Sequence, residues 1–150
     1  MKTRALLVFA IGLLWSLSAS SQILKPVKWS YSAKKTSASE ATVFIKATLQ
    51  TGWHVYAQGT PAGGPAKMTF AFVPSDAFNL EGKVLEPAPV IKFEKTFDMN
   101  VSYFEKEVTF EQKIKLKGKK AVVKGTVEFM ACSDRQCLPP AVTEFLIPVH

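Results

Sequence analysis

Hydrophobic and polar residues alternate with a period of two along most of the chain, the spacing of strands that bury one face. From Thr42 to Leu49, Val43, Ile45, Ala47 and Leu49 share one side; from Lys67 to Val73, Met68, Phe70 and Phe72 do the same. The longest run sets Val108, Phe110, Ile114 and Leu116 against Thr109, Glu111, Lys113, Lys115 and Lys117. One dry face and one wet face is the antiparallel pattern. Gly118-Lys119 separates this run from Ala121 to Ala131, where Val123, Val127 and Phe129 alternate, and the two are expected to form a hairpin. A last strand is predicted from about Val142 to Val149, with further extended pieces at Val27 to Ser32, Trp53 to Ala57 and Val84 to Phe93. Breaks fall at Pro61, Gly63-Gly64-Pro65, Pro74, Pro87 and Pro89, and Ser75 to Leu80 has room for one helical turn. Seven to nine short strands separated by turn signals, in about 130 residues, predict an all-β, immunoglobulin-like antiparallel sandwich in a single domain.

The first residues follow another plan. Lys2 and Arg4 precede an apolar run from Ala5 to Leu17, and Ser18-Ala19-Ser20-Ser21 supplies small residues, as in a secretory signal peptide. A membrane anchor is the alternative, but the run is shorter than the ~20 residues needed to span hydrocarbon. The expected division is therefore a signal peptide over 1–21 and a domain over 22–150. No cysteine lies near the cleavage point, so a lipid anchor has no attachment site.

Charge changes meaning once that segment is set aside. The 19 basic residues become 17 against 12 acids, and the formal charge falls from +7 to +5. Arg135 is the only arginine left. Base readers and phosphate clamps favour the guanidinium fork, so nucleic acid is not an expected partner and the lysines read as solvated strand faces. A weak role in steering an acidic partner stays open.

Two cysteines rule out a cysteine-dense scaffold and a zinc module with four cysteine ligands. Cys132-Ser133-Asp134-Arg135-Gln136-Cys137 lies between two predicted strands and is followed by Leu138-Pro139-Pro140. In an exported chain the pair is most simply one disulfide. Closing a six-residue loop is worth only about 2 kcal/mol in the chain-entropy model, and a domain of this size can fold without cross-links. Accessible short-loop bridges suit thiol exchange, yet the residues alone leave a staple and a redox pair both open. A metal site is the weaker reading. His54 and His150 are far apart in sequence, and a soft Cu(I) site would draw on Cys132, Cys137 and Met130. A Cys-His hydrolase would need a free thiol that an oxidised pair does not supply. A non-enzymatic immunoglobulin-like binding module is a further alternative, since fold alone does not choose a function.

Gly52-Trp53-His54-Val55-Tyr56-Ala57-Gln58, Gly63-Gly64-Pro65 and the Cys132 to Pro140 segment, in that order, resemble the N-terminal periplasmic domain of DsbD-type thiol:disulfide interchange proteins, particularly the compact stand-alone versions of Bacteroidetes-like bacteria. The resemblance covers about Lys25 to Val149. It implies a periplasmic immunoglobulin-like domain that passes electrons to or from thioredoxin-fold partners without a cofactor or metal. It also implies that Cys137 forms the mixed disulfide and Cys132 resolves it. The family covers its disulfide with a cap loop bearing an aromatic residue, and Lys95-Thr96-Phe97-Asp98-Met99-Asn100 occupies the corresponding place, with Phe97 as the shielding ring.

Three departures stand out. The cysteines have four intervening residues, one fewer than in the best-known enterobacterial members. Lys95 and Thr96 replace an acidic pair before the cap aromatic. The chain ends at His150, without a membrane conduit or a C-terminal thioredoxin-like domain, so the expected electron donor is a separate membrane thiol transporter. Within the loop, Arg135 would favour a thiolate and Asp134 oppose it. Pro139 and Pro140 fix the loop's exit and block its ladder pairing. Trp53 and Tyr56 read as packing residues, and His54 as a surface or hydrogen-bonded histidine.

Overall fold

The computed structural model describes residues 24–150, so the expected signal peptide over 1–21 lies outside the described residues. Eleven strands, and no helix, occur among the described residues: β1 (Val27–Lys35), β2 (Glu40–Leu49), β3 (Trp53–Tyr56), β4 (Thr69–Phe72), β5 (Phe78–Leu85), β6 (Val90–Glu94), β7 (Met99–Glu105), β8 (Glu107–Leu116), β9 (Ala121–Phe129), β10 (Ala131–Ser133) and β11 (Ala141–Val149). All pairings are antiparallel. They form three hydrogen-bonded ladders, β1-β2-β8-β5, β11-β9-β4 and β10-β3-β7-β6.

The first two ladders pack face to face. Val43, Ile45 and Ala47 of β2 and Phe110 and Ile114 of β8 share one buried core with Val123 and Val127 of β9 and Phe145 and Ile147 of β11. Aromatic rings bridge the layers, Trp29 with Phe129 at 5.1 Å and Phe70 with Phe110 at 5.0 Å between centroids. These are the offset and edge-on geometries in which rings add to area burial. Glycine is required at 125 in β9. Its register partners are Phe72 and Phe145, and a Cβ there would collide with the Ala71 carbonyl oxygen and the Phe145 ring.

The alternation read from sequence holds for β2, β8, β9 and β11, with Gln112 as a buried polar member of the β8 face. Its side-chain nitrogen donates to the carbonyls of Glu81 and Lys113, which satisfies it. The expected β8–β9 hairpin is not formed. β8 pairs with β2 and β5, whereas β9 pairs with β11 and β4, so Lys117 to Lys120 cross from one layer to the other. Two strands with one apolar face each can pair edge to edge or face each other across the core, and periodicity is the same in both. The helical turn expected at Ser75 to Leu80 is also absent. The Ser75 hydroxyl accepts the Ala77 N–H and closes a turn, after which Phe78 enters β5 with its ring in the core. Pro87 and Pro89 split the expected Val84 to Phe93 piece between β5 and β6, which belong to different ladders.

The third ladder joins the other two at kinks. The chain leaves β7 for β8 through Lys106, at φ 61°, and leaves β9 for β10 through Met130. One face of this ladder, the row Ala131, Val55 and Phe104, completes the main core. The other face is free to carry the site.

Candidate functional site

Alternation along β3 sorts its residues between these two faces. Trp53 and Val55 pack on the main core, while His54 and Tyr56 line a groove of about 410 Å³ on the opposite side. Register then assigns their neighbours. His54 stands between Cys132 of β10 and Glu105 of β7, and Tyr56 is paired with Tyr103. Lys92 and Glu94 of β6 extend the same face, and Tyr56, Val101 and Cys132 form a small buried cluster beneath it, with Met99, Tyr103 and Met130 packed around.

Cys132 and Cys137 are joined by a disulfide, with Cα atoms 4.0 Å apart, and face each other as an isolated antiparallel bridge. The loop between them is a miniature hairpin. The Ser133 N–H donates to the Gln136 carbonyl and the Leu138 N–H to the Ala131 carbonyl, at 2.8 and 2.9 Å. The Ser133 hydroxyl accepts from the N–H groups of Arg135 and Gln136, so this side chain ties the turn. The two cysteines are unequal: Cys132 is 1% exposed, whereas Cys137 is an exposed residue.

The β6–β7 hairpin rises beside them. Its tip, Lys95 to Asp98, is closed by the Phe97 N–H on the Glu94 carbonyl, with Asp98 in the left-handed region at φ 52°. Half-buried Phe97 and exposed Thr96 line the same groove as both cysteines. Met99, paired with Glu94 in the ladder step beside the tip, lies against Gly64, where a Cβ would come within 2.8 Å of its sulfur. Gly64 of Gly63-Gly64-Pro65 thus makes room for the start of β7, where it leaves the tip.

The electrostatics centre on His54. Its Nε2 is 3.3 Å from the Tyr56 hydroxyl, and its ring lies 5.0 Å from that of Tyr103. Burial pushes its pKa below the usual 6.5, although Glu105, Asp134 and Glu94 each pull the other way. Burial, with help from Glu94, raises the Tyr56 phenol.

The structure brings together Cys132, Cys137, Phe97, Asp134 and Arg135 on one groove. Pro139 and Pro140 do not line it; they are exposed between Leu138 and the first residue of β11. His54, Tyr56, Tyr103, Glu94 and Glu105 were not legible as site residues. The signal that could have found them is the alternation in Trp53-His54-Val55-Tyr56, which places two polar-tipped rings opposite two core residues. The rest of that motif is structural: Gly52 turns at φ 81°, Ala57 is fully buried, and Gln58 binds the Val84 carbonyl and the Glu86 carboxylate.

A family model described as thiol:disulfide interchange protein DsbD, N-terminal, matches residues 20–148. The chain belongs to this family. Among solved structures, the DsbD N-terminal domain of Neisseria meningitidis in its reduced form is similar over 87% of this chain and 93% of that one, at 17% identity and a TM-score of 0.56. The N-terminal periplasmic domain of ScsB from Proteus mirabilis matches 85% of this chain at 17% identity and a TM-score of 0.54, and the chain spans about half of that protein's length, 49%. The DsbD N-terminal domain in its complex with the PilB N-terminal domain, also from Neisseria meningitidis, matches 84% of this chain and 88% of that one, at 16% identity and 0.54. At these identities the likeness establishes the immunoglobulin-like fold. No curated protein matches the chain significantly in sequence. No helix of the described residues is long and apolar enough to cross a membrane.

Proposed function

We propose that this DsbD N-terminal-type domain, over 22–150 after a signal peptide at 1–21, carries out thiol:disulfide exchange in the periplasm through Cys132 and Cys137. The observation that carries this reading is the inequality of the two cysteines, one an exposed residue and one buried, on a single groove. In the oxidised protein a partner thiolate attacks Cys137 Sγ, the Cys132–Cys137 bond breaks, and the electron pair leaves on Cys132 Sγ as a thiolate that takes a proton. A second partner thiolate then attacks the partner sulfur of the mixed disulfide and returns Cys137 as a thiol. The domain gains two electrons and two protons, and the reverse sequence delivers them. Attack at the exposed sulfur needs no rearrangement of the core, whereas attack at Cys132 would.

Phe97 shields the bridge between encounters, and the loop residues Asp134 and Arg135 set the local charge. Pro139 and Pro140 hold the loop's exit from a distance. The partners are thioredoxin-fold proteins, in keeping with a relative in complex with the PilB N-terminal domain, and electrons come from a membrane thiol transporter. The test is capture of a mixed disulfide: a Cys132→Ser variant should trap partner proteins through Cys137. A reduction potential well below about −300 mV, with no trapped adduct, would overturn the reading.

A further inference from the structure

Resolution of a mixed disulfide requires the buried Cys132 thiol to lose a proton inside the groove. Burial in apolar surroundings disfavours the thiolate, and the small cluster of Tyr56, Val101 and Cys132 supplies such surroundings. The residue directly opposite Cys132 in the β3–β10 register is His54. Directly paired residues of an antiparallel ladder project to the same face with Cβ atoms ~5 Å apart, and both side chains line the groove.

We propose that His54 is the proton acceptor for Cys132 when that thiol resolves a mixed disulfide, with Tyr56 holding the imidazole in position. The inference rests on the exchange reading above. The 3.3 Å contact between His54 Nε2 and the Tyr56 hydroxyl is compatible with the tautomer the proposal requires, in which Nε2–H donates to the Tyr56 oxygen and the Nδ1 lone pair is the base. The Cys132 S–H bond breaks and its proton passes to Nδ1. The electron pair left on Cys132 Sγ forms the bond to Cys137 Sγ, the bond from Cys137 to the partner sulfur breaks, and the partner leaves as a thiolate. That thiolate then takes the proton from the imidazolium, directly or through water. The protein dithiol has lost two electrons and the partner disulfide has gained them.

The groups around the ring suit both halves of this cycle. From β7, Glu105 and Tyr103 face it; from β6, Glu94 and Lys92; from the cysteine loop, Asp134 and Arg135. Burial and Lys92 keep the resting imidazole neutral at pH 7, so that it can accept a proton. Glu105, Asp134 and Glu94 stabilise the imidazolium once it forms. A base that is neutral at rest and has carboxylates beside it is matched to transient proton storage.

The experiment follows single turnover of the reduced protein with oxidised glutathione as the probe, using acid quench and mass spectrometry to separate formation of the Cys137–glutathione adduct from its resolution by Cys132. His54→Gln should slow resolution at least about tenfold near pH 7, and the deficit should shrink toward pH 9.5 as Cys132 ionises unaided. His54→Ala should be slowed similarly and be partly restored by added imidazole. Near-UV circular dichroism and a cooperative urea transition report that each variant is folded. Resolution equal to the unsubstituted protein, or slowed by one factor at every pH with no imidazole rescue, would overturn the proposal. Absence of both adduct and bridge in the unsubstituted protein would instead overturn the exchange reading.

Discussion

Cys132 and His54 are register partners across β10 and β3, with one side chain in the buried half of a disulfide and the other in hydrogen-bond contact with Tyr56. The pairing follows from a division of labour within a single sheet. The row Ala131, Val55 and Phe104 is committed to the core, so its neighbours one residue along must face outward together. A shift of one residue in this register would send His54 into the core and bring Val55 to the disulfide. The apolar core therefore positions the groove as firmly as any contact within it.

The unequal exposure of the sulfurs should appear directly in their chemistry. In the reduced protein, iodoacetamide should modify Cys137 at least about tenfold faster than Cys132, read by peptide mapping. Equal rates would show that Cys132 is open to solvent in the dithiol form. Replacing both cysteines by Ser should cost no more than about 2 kcal/mol in urea unfolding, because the loop closed is only six residues long.

Stability should respond to pH through His54. Its folded pKa lies below the ordinary 6.5, so in the window beneath 6.5 the unfolded chain binds more protons than the folded one. This contribution is fully present above pH 6.5 and is lost as pH falls through that window toward the folded value. The urea midpoint of the protein should therefore fall further between about pH 7 and pH 5 than that of His54→Gln, measured side by side. Parallel curves would mean that the imidazole is as free to protonate in the fold as outside it.

The parts of the fold legible in the sequence are those where one face of a strand is wet. Lys113 and Lys115 against Phe110 and Ile114 announce β8 without ambiguity. β7 was not legible, because its sheet has packing on both sides: Val101 and Tyr103 turn toward the groove while Phe104 turns to the core, and the period of two disappears. The cysteines and Phe97 could be read, the first from their number and spacing and the second by family resemblance. His54 and Glu105 could not, because what faces Cys132 depends on a pairing between strands far apart in the chain. Pairing partners were hidden for the same reason in β8 and β9, whose patterns are correct but whose expected hairpin does not exist.

Gly125 is a sharp test of how closely β4, β9 and β11 approach. An added methyl would meet a backbone carbonyl at Ala71, which cannot move without disturbing the ladder, and the Phe145 ring, which fills the core. Gly125→Ala should cost about 3 kcal/mol, the upper part of the usual range for overpacking, measured by urea denaturation. A loss within about 0.5 kcal/mol would mean that the β4 edge shifts freely. Phe110→Ala in the same core should cost about 3–5 kcal/mol by leaving a cavity.

The β6–β7 hairpin offers the last test, because strand β7 and the tip that precedes it are held differently. Met99, in the ladder step beside the tip, packs against Gly64, and Val101 further along β7 lies in the buried cluster, whereas the tip itself carries Phe97 half-buried on the groove. Full burial of a Phe is worth about 1.5–3 kcal/mol, so removing a half-buried ring at a tip should cost only about 1 kcal/mol. Its effect on access should be larger than its effect on folding. Phe97→Ala should therefore let dithiothreitol reduce the Cys132–Cys137 bridge several-fold faster, followed by the mobility shift of alkylated protein, with the urea midpoint nearly unchanged. Gly64→Val, which displaces Met99 beside the tip, should also speed reduction, but with a clear loss of stability. If Phe97→Ala leaves the reduction rate as it was, the ring does not guard the bridge, and the exposure of Cys137 alone sets its reactivity.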